Sequence, residues 1–178
     1  MRTMRTKVMA CWMLLGLFAL AGASWAVRGD DKERKSKNGK AEGSAGGAQV
    51  ALEYGRPNVA GRKIFGELVP YGQVWRAGAD EATTISFDRN VTIDGKPLAA
   101  GRYALFLIPT AEVWTVVFNK VADQWGAFKH DPASDAVRVT VKPAAHAMVE
   151  TLEYVVDGDR VEMRWDTVAV GFSVKAAR

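Results

Sequence analysis

Thiols are almost absent from this chain. Its one cysteine, Cys11, sits inside an uncharged apolar run near the N-terminus. A lipid-attachment cysteine follows such a run, whereas Cys11 precedes most of it, so Val8-Met9-Ala10-Cys11 is not a lipobox. Past that run, thiol catalysis, disulfides and cysteine-held metals are excluded, and stability has to come from a core alone. Histidine is nearly as scarce. His130 and His146 stand sixteen residues apart in no ligand-spaced motif, which argues against a histidine-rich zinc site; neither a metal nor a cofactor is expected. Ser86, Ser134 and Ser173 lie in no Gly-x-Ser-x-Gly elbow. Gly61-Arg62-Lys63-Ile64-Phe65-Gly66 has spaced glycines but no phosphate-loop pattern. Concentrated basic charge is missing too. The formal net charge is +4, but residues 49–178 hold fifteen Lys/Arg against sixteen Asp/Glu, a net of −1. That balance gives no electrostatic basis for binding nucleic acid, which needs a basic face.

The positive excess lies at the N-terminus. Met1–Lys7 carries Arg2, Arg5 and Lys7, Val8–Leu20 is apolar, and Ala21-Gly22-Ala23 or Ser24-Trp25-Ala26 supplies the small-x-small pattern of a cleavage site. Residues 1–26 are therefore expected to be an export signal. The competing reading is an uncleaved inner-membrane anchor, because residues 8–27 run for twenty residues without a charge. Either reading sends the remainder out of the cytoplasm, to the periplasm or beyond, with membrane contact only through this segment. Residues 27–48 contain RGDDKERKSKNGK and then AEGSAGGA, with no large apolar residue after Val27. So little burial cannot offset the entropy of ordering, and a disordered charged, Gly-rich tether is expected there. Residues 49–178 then make one domain.

Its pattern is all-β. Val137–Lys142 and Val168–Val174 alternate with period two. Tyr103–Ile108 and Trp114–Phe118 are apolar on both faces, as central strands covered on two sides would be. Asp94-Gly95 and Asp157-Gly158 mark tight hairpins. Strands are expected near 49–54, 83–88, 91–93, 102–108, 113–119, 136–142, 149–156, 160–167 and 169–175. Their spacing predicts an antiparallel β-sandwich of eight or nine strands, with a small barrel as the alternative. Lys120–Ala127 is the place for one short helix, with Val121, Gln124, Trp125 and Phe128 on one face.

Between the first two of those strands lies a long segment without periodicity, Tyr54–Thr84. Such segments are usually functional when ordered. Ile64, Phe65, Leu68 and Val69 read as a buried plug. Arg56, Arg62, Tyr71, Trp75, Arg76, Asp80 and Glu81 are the candidate ligand-binding residues. Guanidinium groups beside aromatic faces suit a carboxylate, a phosphate or a sugar ring. Three readings follow. The first is a non-catalytic binding module for a small molecule, glycan, peptide or anion. The second is a carboxylate-dependent hydrolase or isomerase using Asp80 or Glu81 with an arginine, Tyr71 or His130, which requires a carboxyl titrating well above its ordinary value. The third is purely structural, with Arg76, Arg56 or Arg62 pairing with Asp80 and Glu81 to pin the loop. No catalytic residue is assigned by the sequence.

The motifs of this segment resemble those of DUF2911, a family of exported bacterial domains of unknown function. The resemblance rests on Arg56-Pro57, Gly61–Gly66, Leu68–Gly72, Val74-Trp75-Arg76, Gly78-Ala79 and Glu81-Ala82-Thr83. It continues through Gly95–Leu98, Gly101-x-Tyr103, Trp114-Thr115, Phe118-Asn119-Lys120, Gln124–Ala127 and Val137–Pro143. It spans about Gln49 to Asp157, with the strands after Asp157 outside its strong part. It implies an exported β-domain with no assigned activity. The family pattern has Thr in place of Ala77 and Asn in place of Asp80, so Asp80 would add negative charge to a site there.

Overall fold

The computed structural model describes residues 28–177; the expected export signal and Cys11 lie outside the described residues. Ten strands account for the architecture: β1 (Lys37–Ala45), β2 (Ala48–Arg56), β3 (Thr83–Phe87), β4 (Val91–Ile93), β5 (Lys96–Leu98), β6 (Gly101–Pro109), β7 (Trp114–Asn119), β8 (Asp135–Val141), β9 (Ala144–Asp157) and β10 (Arg160–Ala176). They form a six-stranded sheet in the order β1-β2-β3-β6-β7-β8 and a four-stranded sheet in the order β5-β4-β10-β9. All pairings between these strands are antiparallel. The expected sandwich is what forms.

Alternation on β2, β3, β6 and β7 sends Val50, Leu52, Ile85, Phe87, Leu105 and Phe118 inward, against Val161, Met163, Trp165, Phe172 and Val174 of β10; all of these are buried. Phe118 meets Phe172 edge to face at 5.3 Å. The plug is real at three of its four positions. Ile64, Phe65 and Val69 are buried, while Leu68 is exposed. Phe65 sits edge-on among Trp75, Trp114 and Trp165, at 6.2, 4.8 and 6.0 Å, and burying such a ring contributes about 2–3 kcal/mol. β6 and β7 are covered on both faces, as their sequence requires. On the outer side Ala104, Phe106 and Val117 pack with Ala82, Val74 and Ala127.

Three expectations need correction. The tether over 27–48 gives way to strand β1, paired with β2 along its whole length through Lys37↔Arg56 to Ala45↔Ala48. Its lack of large apolar residues reflects close packing. A side-chain carbon on Gly43 would stand 3.1 Å from Val156 of β9, and one on Gly39 would meet Tyr54 and Arg56. Gly46 and Gly47, with φ of +54° and +87°, make the two-residue turn. A carbon on Gly46 would also fall 1.9 Å from the Val174 carbonyl oxygen. The two C-terminal strands are one strand, β10, interrupted by a bulge at Asp166 (φ +57°). No helix forms at 120–127. The Val121 N–H donates to the Asn119 side chain, Ala82 N–H to the Gln124 carbonyl, and Gly126 N–H to the Asp80 carbonyl. The last two bonds are tertiary and use backbone groups that an i→i+4 ladder would need.

Candidate functional site

The loop between β2 and β3 lies backbone against backbone on β2. A side-chain carbon on Gly55 would stand 2.3 Å from the Ala79 carbonyl oxygen, and one on Gly78 would meet the Thr83 hydroxyl at 2.8 Å. Only glycine permits that approach. Ala77, fully buried, is held at φ +53°. Its carbonyl accepts from the Thr83 hydroxyl at 2.9 Å and from the Tyr154 phenol at 2.8 Å. Burial, with the Tyr54 phenol nearby, pushes the Tyr154 hydroxyl far up, so it stays a donor.

Asp80 and Glu81 are gripped from the N-terminal side. The Arg28 side chain is 8 % exposed and lies 3.2 Å from the Glu81 carboxylate. It also donates to the carbonyls of Ala79, Glu81, Ala82 and Glu53 at 3.1–3.3 Å. Arg34 donates to Glu81 Oε2 at 2.7 Å and reaches Asp80 at 3.5 Å. The hydrogen bond from Arg34, helped by the charge of Arg28, holds the Glu81 carboxyl at about 2. Burial lowers Arg28 from its usual value against the pull of Glu81, while the hydrogen bond to Glu81 raises Arg34. The acids of the loop are therefore paired, as the structural reading requires. Their partners are Arg28 and Arg34, neither of which the sequence pointed to.

The other candidates are placed apart from this cluster. Arg56 donates to the Leu152 carbonyl of β9 at 3.3 Å, and Arg62 to the carbonyls of Val59, at 3.0 Å, and Asn58 within its own loop. Trp75 donates to the Gly78 carbonyl at 3.2 Å and stacks on Trp165 at 5.7 Å. Its face is occupied by Trp165 of β10. Tyr71 is half-exposed, with its ring beside Gly66. Arg76 alone of the seven keeps a buried nitrogen, Nε, without a partner. His130 bonds Asp135 at 3.0 Å rather than its neighbour Asp131, which caps the short 3-10 turn Pro132–Ser134.

Three concavities lie on the outer face of the six-stranded sheet, one of them lined also by Arg28 and Glu81 of this cluster. One hollow of about 490 Å³ is lined by Glu42, Gly43, Ala51, Ser86 and Arg102, among others. A second, about 380 Å³, shares Glu42 and Ala51 with it and adds Lys40, Glu53 and Arg28. A third, about 240 Å³, shares Arg28 with the second and Arg102 with the first, and runs to Gln124 and Trp125. The three adjoin as one trough across β1, β2, β3 and β6, three strand spacings or about 14 Å wide. Register explains the lining. Glu42↔Ala51, Ala51↔Ser86 and Ser86↔Arg102 are cross-strand partners on one outward row. Within it Ser86 Oγ, Arg102 Nε and Gln124 Oε1 are buried without a hydrogen-bond partner. Arg102 is otherwise tied to Asp123 at 2.6 Å. With no base hydrogen-bonded to it, Ser86 is not set up as a nucleophile.

Comparison with known proteins identifies the family and nothing more specific. The model of the family described as "Protein of unknown function (DUF2911)" matches residues 36–174, and the chain belongs to that family. The match takes in β1 and nearly all of β10, beyond the span of the motifs noted above. No curated protein and no solved structure matches the chain.

Proposed function

We propose that this protein is a non-catalytic, exported cell-envelope module that binds a glycan in the trough across β1, β2, β3 and β6. The observation that carries the reading is the set of unpartnered polar atoms, Ser86 Oγ, Arg102 Nε and Gln124 Oε1, on residues that line two adjoining hollows. A buried polar atom left unpaired costs about 1–3 kcal/mol, and a bound ligand that hydrogen-bonds it recovers that cost. The lining narrows the ligand. Glu42, Glu53, Asp88 and Asp123 face it beside Arg28, Arg102 and Lys40, so an anion would meet carboxylates as often as cations. A polyhydroxyl chain donates to the carboxylates, accepts from the guanidinium of Arg102, and lays its C–H faces on Gly43 and Ala51. Catalysis by Glu81 is disfavoured, because a carboxyl held at about 2 is the reverse of a general acid or base poised near neutrality.

The test is a thermal-shift screen of the protein with cell-wall oligosaccharides, muropeptides, short peptides and organic acids. A ligand at a hundred times its Kd adds about 2.7 kcal/mol. The expected hit is an oligosaccharide whose shift disappears in Ala51→Trp, which fills the trough from an outward-facing position, and persists in Arg76→Ala. A shift lost in Arg76→Ala and kept in Ala51→Trp would return the site to the loop and overturn the reading.

A further inference from the structure

The segment from Lys120 to Asp131 shows three large apolar side chains to solvent: Val121 at 50 %, Trp125 at 59 % and Phe128 at 85 % exposed. They are not displayed by a slack loop. Asn119, completely buried, donates to the Asp131 carbonyl at 3.0 Å and to Asp135 at 2.7 Å. Lys120 N–H reaches the Ser134 carbonyl, Gly126 N–H the Asp80 carbonyl, and the His130 ring stands edge-on to Phe106 at 5.0 Å. The loop is braced from below and turned apolar side out, at a cost in exposed hydrophobic area that a soluble surface normally avoids.

Two further observations say what covers it. First, its lysines are free while one of its two acids is paired. Lys120 and Lys129 are exposed, Asp123 is neutralised by Arg102 at 2.6 Å, and Asp131 is turned to capping the short 3-10 turn. Aromatic rings flanked by free lysines suit the boundary between headgroups and acyl chains of an anionic bilayer. Second, the chain itself leads there. Arg28, which lines a hollow together with Trp125, is clamped in place, and the twenty-residue apolar run of residues 8–27 ends immediately before it. On the anchor reading, the sequence puts no spacer between that run and Arg28.

We propose that the Lys120–Asp131 loop docks on an anionic phospholipid bilayer, with Phe128 and Trp125 inserted at the interface and Lys120 and Lys129 against the headgroups. Trp125 also lines one hollow of the trough, so docking would cover that end of it whatever ligand the trough takes.

The test uses the full chain carrying Cys11→Ser and one new cysteine, Phe128→Cys or, as control, Asp159→Cys. Position 159 lies in the β9–β10 turn, next to the β1–β2 hairpin at the other end of β2. Each cysteine carries a polarity-sensitive fluorophore and is examined with vesicles of brominated phosphatidylcholine, with and without phosphatidylglycerol. Strong quenching at 128, little at 159, and a marked loss of quenching at 128 without phosphatidylglycerol or in Lys120→Gln/Lys129→Gln are expected. The lysine change should weaken docking about fivefold per residue. A label at 128 as water-exposed as that at 159 would overturn the proposal. So would equal quenching on neutral vesicles, or a label at 128 shielded before any lipid is added, which would mean that a second copy of the chain covers the loop.

Discussion

In the loop between β2 and β3, Glu81 meets two guanidinium groups, Arg56 and Arg62 end on backbone carbonyls, and the Trp75 indole donates to Gly78. On the sheet face beside it, Ser86, Arg102 and Gln124 each keep a buried polar atom with no partner. The two regions touch through Arg28 and Glu81, which line one hollow of the trough, and they draw on similar residues. What separates them is how fully their hydrogen-bonding capacity is used, the loop's one exception among its candidate residues being Arg76 Nε, which has no partner. Saturated polar groups specify a conformation, while unsaturated ones persist where something else is bound or strain is tolerated. The comparison teaches that a run dense in arginines and aromatics is not by that fact a binding site. It yields predictions that separate the regions by where a mutation acts: the loop should register in stability and the trough in binding.

The largest expected effect is Gly55→Ala. The added carbon would lie 2.3 Å from the Ala79 carbonyl oxygen, a backbone atom that cannot swing aside. Relief requires lifting the 77–80 segment off β2, disturbing the Ala77 carbonyl and its bonds to Thr83 and Tyr154. A loss of about 3 kcal/mol is expected, read as a lowered midpoint in urea unfolding with the slope unchanged. A variant as stable as the parent would show that the loop is not pinned where it lies.

Next comes the Glu81 clamp, through its pH dependence. The folded carboxyl is held at about 2 against an ordinary value of 4.5. Its contribution is therefore complete above about 4.5 and is lost as pH falls through the interval toward 2, where the unfolded chain takes up the proton first. The carboxylate is a quarter exposed, so solvent screening leaves less than the full value of that shift, about 1–2 kcal/mol. Stability measured from pH 6 to pH 2.5 should fall more steeply in the parent than in Glu81→Gln, which is destabilised at neutral pH and flatter in acid. Parallel curves would mean that Arg28 and Arg34 grip the backbone of 79–82 and not the carboxylate.

The clamp also shows how much was legible in advance. The sandwich, the doubly covered β6 and β7, and the Asp-Gly hairpins follow from alternation and turn chemistry, which are local. The pairing of loop acids with arginines is a local inference as well, and its type was readable though its partners were not. Arg28 and Arg34 belong to a stretch whose composition reads as disordered. β1 consists of small and charged residues because Gly39 and Gly43 lie under close neighbours, and packing of that kind leaves no hydrophobic pattern. The Gly46-Gly47 pair is a hairpin turn, yet beside Ser44 and Ala45 it is compositionally a flexible linker. Once β1 is lost, so is the trough, since Glu42, Gly43 and Lys40 are its wall. The same holds at Trp125 and Phe128. Period 3.6 suggests a helix, while the Ala82–Gln124 and Asp80–Gly126 backbone bonds that forbid one are visible only in three dimensions.

The smallest effect on stability, and the sharpest separation of the regions, is expected at Ser86. Its hydroxyl is buried without a partner between Ala51 and Arg102 on the outward row. Removing an unsatisfied polar group relieves its desolvation, so Ser86→Ala should be neutral or stabilise by up to about 1 kcal/mol. Gly55→Ala and the acid-side loss of Glu81 run the other way, because there the polar groups are spent. If the trough binds a glycan, the same Ser86→Ala change should weaken that binding severalfold while leaving or raising the melting temperature. A residue whose replacement improves the empty protein and impairs the occupied one serves the ligand and not the fold. A clear loss of stability in Ser86→Ala, with no ligand present, would mean that the hydroxyl holds a structural bond after all, and the contrast between loop and trough would fail at the residue that states it most directly.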